Sequence, residues 1–208
     1  MTKNNSEGKD YYTQRNNKLK PDGACNVTAM INALGAAGWP VAQLADEDYD
    51  QPEDALMHFI LSDMTIDTAW RRLDPNASYP PNEWHPLQKK GLLAQGKKAV
   101  FWAENRKPSE IIGAIDDKGA AVMSGVFTAA GQKRIGHVVA VVGYKAAEDG
   151  SVESFIIDDS WGDYSTAYSS QNGNDIQMPY ADFLKMLRPC GNAVKMAHLI
   201  SKYNGGIA

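Results

Sequence analysis

Three residues of this chain have the types and the order that thiol-dependent acyl transfer requires. Cys25 heads an apolar-periodic run, in Gly23-Ala24-Cys25-Asn26-Val27-Thr28. His137 opens a valine-rich stretch, Gly136-His137-Val138-Val139-Ala140-Val141-Val142-Gly143-Tyr144. Asp159 follows the next apolar run, in Ile156-Ile157-Asp158-Asp159-Ser160-Trp161-Gly162. Such chemistry needs a thiolate to attack a carbonyl carbon, an imidazole to exchange protons, and a group to orient that imidazole.

Each setting suits its task. The thiolate is the reactive form of cysteine, and a helix N-terminus or a nearby imidazolium favours it. A buried structural cysteine competes as a reading of Cys25. Position decides against it, because Cys25 follows a loop and precedes the apolar stripe instead of joining it. Cys190, in Arg188-Pro189-Cys190-Gly191, sits at a helix exit and reads as structural. With no secretory context, both cysteines are expected as free thiols. His137 lies at the entrance of a strand apolar enough to be buried on both faces, so it meets the edge of the core. His58, His85 and His198 lack a strand-end carboxylate partner.

Asp158 and Asp159 are adjacent, so in an extended strand they point to opposite faces and one alone can serve His137. A turn at Glu148-Asp149-Gly150 predicts a hairpin that returns both acids toward residue 137. The residues alone leave the choice between them open, and both also read as solvated loop acids. The oxyanion of acyl transfer needs fixed donors. The Cys25 N–H and the Gln14 side chain are the candidates.

The elements that must position these groups follow from periodicity. Val27, Met30, Ile31 and Leu34 form a helical stripe that Gly35, Gly38 and Pro40 end. A second helix is predicted over 50–65, with Pro52 in its first turn and Leu56, Phe59 and Ile60 inward. A proline-marked loop (66–81), a helix from about Asn82 to Gln95, a strand at Val100-Phe101-Trp102 and a helix from Pro108 to about Asp117 follow. Strands are predicted at Ala121–Phe127, Val138–Tyr144 and Ser154–Asp158. A polar loop covers 163–178, a helix Tyr180–Leu187, and a last strand Val194–Ile200. Residues 1–10 read as a flexible tail and 11–208 as one domain. The pattern is α+β: a helical first half against an antiparallel, strand-rich second half.

Bulk properties narrow the function. The 208 residues carry a formal charge of −4 and no strongly basic run, which disfavours nucleic acid as a partner. No apolar stretch is long enough to span a membrane, and Met1–Asp10 lacks a signal peptide's apolar segment. Synthesis in the cytoplasm is expected. No His/Cys spacing suits zinc, and the Asn172–Asp175 segment fails the calcium-loop pattern. No cofactor or metal is expected.

Tyr11-Tyr12-Thr13-Gln14-Arg15-Asn16-Asn17 and Cys25-Asn26-Val27-Thr28-Ala29-Met30 resemble the opening of papain-like cysteine peptidases related to the bacteriocin-processing, double-glycine leader peptidases. The Gly136–Tyr144 stretch matches that family's histidine strand, and Asp159-Ser160-Trp161-Gly162 resembles its acid segment. The likeness covers roughly 11–34 and 136–162. It departs at Cys25-Asn26, where many relatives have Cys-Gly, and in having no transporter segment. The resemblance implies a papain-like fold in which Cys25 attacks, His137 protonates the leaving amine and Asp159 holds the imidazole. Gln14 then falls on the oxyanion-hole position. Stand-alone members resemble cell-wall hydrolases, including phage lysins. That implies a monomeric peptidase of peptidoglycan peptides, released through a partner's membrane pore. Trp39, Trp84 and Trp161 are candidates to frame its cleft. A cytoplasmic peptidase of a protein or leader peptide, a silent binding module, and acyl transfer to an amine are the rival readings.

Overall fold

The valine-rich run is the axis of the fold. A computed structural model describes residues 1–61, 106–127, 135–187 and 199–203. Within it, β3 (Ile135–Ala146) is the central strand of a six-stranded antiparallel sheet. The other strands are β1 (Thr2–Asn4), β2 (Ala120–Phe127), β4 (Val152–Asp158), β5 (Ile176–Pro179) and β6 (Leu199–Ile200). The order is β5-β4-β3-β2-β6, and β1 pairs with β3 beyond the end of β2.

Side chains alternate across a strand, and here both faces are covered. Val138, Ala140 and Val142 pack into one apolar cluster with α1 (Cys25–Ala36) and α2 (Pro52–Leu61). Val139 and Val141 join a second cluster with Ile111 and Ile115 of α3 (Pro108–Asp116) and Phe183 and Met186 of α4 (Tyr180–Leu187). Two-sided burial is why β3 reads as an unbroken apolar run. Each large apolar side chain so buried contributes about 1.5–3 kcal/mol.

The expected stripe on α1 understates its burial. Every residue from Asn26 to Leu34 is buried, because β3 flanks the helix on one side and α2 with the 41–44 turn on the other. Two of its polar members are paired with backbone. Thr28 Oγ1 donates to the Ala24 carbonyl at 2.9 Å. Asn32 accepts from Tyr12 N–H at 2.9 Å and donates back to Tyr12 C=O at 3.0 Å, which ties the Tyr11–Gln14 segment to the helix. Gly38, at φ +87°, lets the chain leave α1 in the left-handed region.

The predicted hairpin forms. Gly150 takes φ +83° in the turn, and Ala140 and Val141 pair with Asp158 and Ile157. The next residue, 159, therefore falls back toward the start of β3.

Two expectations are corrected. Residues 1–9, read as part of a flexible tail, begin with β1: Thr2 pairs with Lys145 and Asn4 with Gly143. Met1 ammonium donates to the Ala146 carbonyl at 2.8 Å, and Asn5 Nδ2 donates to the carbonyls of Ile115 and Gly119. A short edge strand needs backbone pairing more than apolar side chains, so its polar composition hid it. The 163–178 stretch is likewise no continuous loop. It contains a 3-10 turn at Tyr164–Thr166 and the start of β5, which pairs with β4.

The expectations for 66–81, Asn82–Gln95, Val100–Trp102, Cys190, His85, His198 and Trp84 lie outside the described residues, as do the side chains of Phe59 and Ile60. Of the last predicted strand, only Leu199–Ile200 is described.

Candidate active site

Cys25 is the first residue of α1 and is half-buried. A 3-10 turn, Pro21–Gly23, delivers the chain to it, and Ala24 caps the helix without a side-chain bond. The first N–H groups of a helix lack internal acceptors. The Cys25 N–H donates to no described residue, so it remains open beside its own sulfur.

His137 enters from β3 with 5% of its surface exposed. Its Nε2 donates to Asp159 Oδ1 at 2.7 Å. Asp159 has no exposed surface, and its carboxylate is held from three sides. Oδ1 also accepts from Trp161 N–H at 2.9 Å, and Oδ2 from Tyr168 hydroxyl at 3.3 Å. The choice between the two acids is thereby made. Asp158 instead accepts from Asp175 N–H at 3.0 Å and takes no part in the imidazole contact.

The Cys25 side chain lies close enough to the same imidazole to help hold its proton. With Nε2 engaged by the carboxylate, Nδ1 is the ring nitrogen left for sulfur. Burial disfavours the charged ring, but the Asp159 charge, its hydrogen bond and the Cys25 contact outweigh it and push the His137 pKa up to about 10. The ring is thus held as an imidazolium near neutrality. Phe127 packs edge-on against it, with centroids 5.2 Å apart, and Tyr168 covers it from 6.5 Å, also edge-on.

Gln14 is buried on a 3-10 turn (Gln14–Asn16). Its Oε1 accepts from Ser160 hydroxyl at 2.7 Å and its Nε2 donates to Pro21 C=O at 2.7 Å. A primary amide carries two N–H donors, so one remains after Pro21 is served. The amide is fixed between the residue after Asp159 and the turn leading into Cys25. Gln14 N–H and Thr13 hydroxyl both donate to the Ser160 carbonyl, lashing the two segments together.

All four sequence candidates thus fall on one connected set of segments. Asn26, which replaces the glycine of many relatives, is buried with its Nδ2 unpartnered, and nothing in the structure explains that choice. Of the proposed cleft tryptophans, Trp161 lies here, whereas Trp39 packs against Tyr203 and donates to the Ser201 carbonyl. Among the described residues, no group of His, Cys, Asp or Glu could hold a metal ion.

A model of the Peptidase_C39 like family matches residues 8–183. The chain belongs to that family. It is a cysteine peptidase of papain-like, α+β fold. No curated protein matches the chain.

Several residues of this C39-like peptidase escaped the sequence reading. Tyr168 is one: Ala167 and Tyr168 both take positive φ, 55° and 62°, which non-glycine residues rarely do. That backbone aims Tyr168 at Asp159. Tyr11 is another, its hydroxyl donating to the Asp159 carbonyl at 2.6 Å. Burial, then the Asp159 charge, raises the phenol pKa of both tyrosines. Gly173 is a third. Its carbonyl accepts from Asp159 N–H at 2.8 Å, and a Cβ there would lie 1.9 Å from the Asp159 carbonyl oxygen. A tyrosine in a loop such as Thr166-Ala167-Tyr168 carries no sequence signal for such a role.

Proposed function

We propose that Cys25 is the nucleophile, His137 its acid–base partner and Asp159 the orienter, and that the substrate is a peptidoglycan peptide. The Asp159–His137 contact at 2.7 Å is the observation that carries the triad, with Cys25 among the groups that favour the protonated ring. The sulfur attacks the carbonyl carbon, and the Cys25 N–H with the free Gln14 N–H meets the developing oxyanion. His137 then gives its proton to the leaving amine, forming a thioester. Water attacks that thioester, His137 takes a proton from the water, and the thiolate leaves.

The wall substrate is supported by the resemblance to stand-alone wall hydrolases. Release through a partner's membrane pore is part of this proposal; no helix among the described residues is long and apolar enough to cross a membrane.

The test uses purified sacculi and casein, each with wild type and Cys25→Ala. Clearing of sacculus turbidity by wild type alone is expected. Cleavage of casein but not sacculi would replace the wall peptide by a protein substrate. Identical behaviour of the two proteins on both substrates would end the catalytic reading.

A further inference from the structure

Arg15 is held in an unusual way for a cation beside an active site. Its Nε donates to the Trp161 carbonyl at 2.6 Å, and its guanidinium carbon lies 4.1 Å from the centroid of the Trp161 ring. One hydrogen bond and one stacking contact fix a side chain that is otherwise among the most mobile. Yet no acid faces it among the described residues. The described lysines and the other described arginine that pair with acids do so elsewhere: Lys3 with Asp116, Lys18 with Asp50, Arg106 with Glu110, Lys145 with Glu153, Lys185 with Asp182. The Arg15 Nη groups, a planar fork of donors suited to a carboxylate, have no described protein acceptor.

Its location says which half of a substrate it meets. Arg15 follows Gln14 directly, and Trp161 donates its N–H to the carboxylate that holds His137. Through Trp161, Arg15 is thus tied to the acid that holds the imidazole. The leaving amine must approach the imidazole, because it takes its proton from His137.

We infer that Arg15, braced on Trp161, is a subsite for a carboxylate carried by the amine-side half of the substrate. This rests on the proposed catalytic reading of Cys25 and His137 and adds a chemical class to it. The enzyme prefers amide bonds followed by a residue with a free carboxylate over the same bonds followed by its amide. Arg15 is partly exposed, so the preference is moderate, about five- to tenfold in kcat/KM.

Two reagents test this without needing turnover. N-iodoacetyl-glutamate and N-iodoacetyl-glutamine amide place their reactive carbon on Cys25 and their amino acid on the imidazole side. The sulfur displaces iodide from either one, giving the same thioether linkage. Wild type should be alkylated several-fold faster by the acid. Arg15→Gln should erase that preference, and Arg15→Lys should keep part of it, with thermal melting confirming that each variant is folded. Equal rates in wild type, or a preference that survives Arg15→Gln, overturns the subsite, the latter outcome assigning the attraction to the imidazolium instead. The sacculus assay, run on native and on chemically amidated sacculi, separates the two claims. Hydrolysis without acid preference in alkylation sinks the subsite alone. Acid preference without any hydrolysis leaves the subsite and sinks the hydrolase.

Discussion

At the scale of single residues, the site is governed by one carboxylate. Asp159 accepts from His137, Trp161 and Tyr168, so it is both buried and saturated with donors. Its charge opposes the cost of burying an imidazolium and raises the His137 pKa to about 10, far above the usual 6.5. A group whose folded pKa is raised keeps its proton until the pH climbs through that value. The alkaline limb of kcat/KM is therefore expected near pH 10. Asp159→Asn removes the charge and leaves the burial, so the limb should fall by several pH units. The rate at the optimum should drop about 10²- to 10⁴-fold. An unmoved limb would show that Asp159 does not set the ring's charge. Tyr168→Phe keeps the edge-on ring and deletes one long hydrogen bond. A loss in kcat of at most about tenfold is expected, with KM unchanged. A change in KM alone would make Tyr168 a substrate contact.

At the scale of elements, the site is a meeting of segments that backbone bonds lock together. The end of β4 carries Asp159, the 172–175 turn clamps it through Gly173, and β1 clamps the turn. Asn4 Nδ2 and Ser6 hydroxyl both donate to Asp175 Oδ1, at 2.9 and 2.6 Å. The Asn172–Asp175 segment thus spends its acid on the N-terminal segment. Gly173 has no room for a side chain against the Asp159 carbonyl. Gly173→Ala should push the clamp away from Asp159 while the sheet survives. A displacement near 1 Å in the orienter costs about 10²-fold in rate. Circular dichroism should stay native while kcat/KM falls; full activity would show that the clamp is dispensable.

At the scale of the whole molecule, the buried acids Glu53 and Asp158 couple stability to pH. Glu53, fully buried with both carboxylate oxygens unpartnered, has its pKa raised to about 7 by burial first, then by the charges of Asp54 and Asp50. Asp158 is also raised to about 7, by burial first and then by Asp175, against the Asp175 N–H bond that lowers it. In the unfolded chain such acids ionise near pH 4. Between pH 4 and 7 the unfolded chain has released protons that the folded protein still holds. Stability present below pH 4 is therefore lost as the pH rises through 7. Glu53→Gln should remove its share of that loss, about 2 kcal/mol between pH 5 and pH 8. Urea unfolding at the two pH values checks this. An equally steep pH dependence in the variant would show that Glu53 is paired or hydrated in solution.

Local pattern carried much of the candidate site. Cys25 before an apolar helix, His137 at the head of a two-sided strand and acids after the next strand are features of neighbouring residues, and neighbours in sequence are all that periodicity reads. The hairpin turn even brought residues 158 and 159 back toward 137. What no local pattern held was the choice of Asp159 over Asp158, which depends on where a bulged register leaves each side chain. The strand at Thr2–Asn4, the Gly173 clamp and the covering Tyr168 were equally illegible. Each is defined by a partner well removed along the chain, and polar segments of that kind look alike until the sheet brings those partners together.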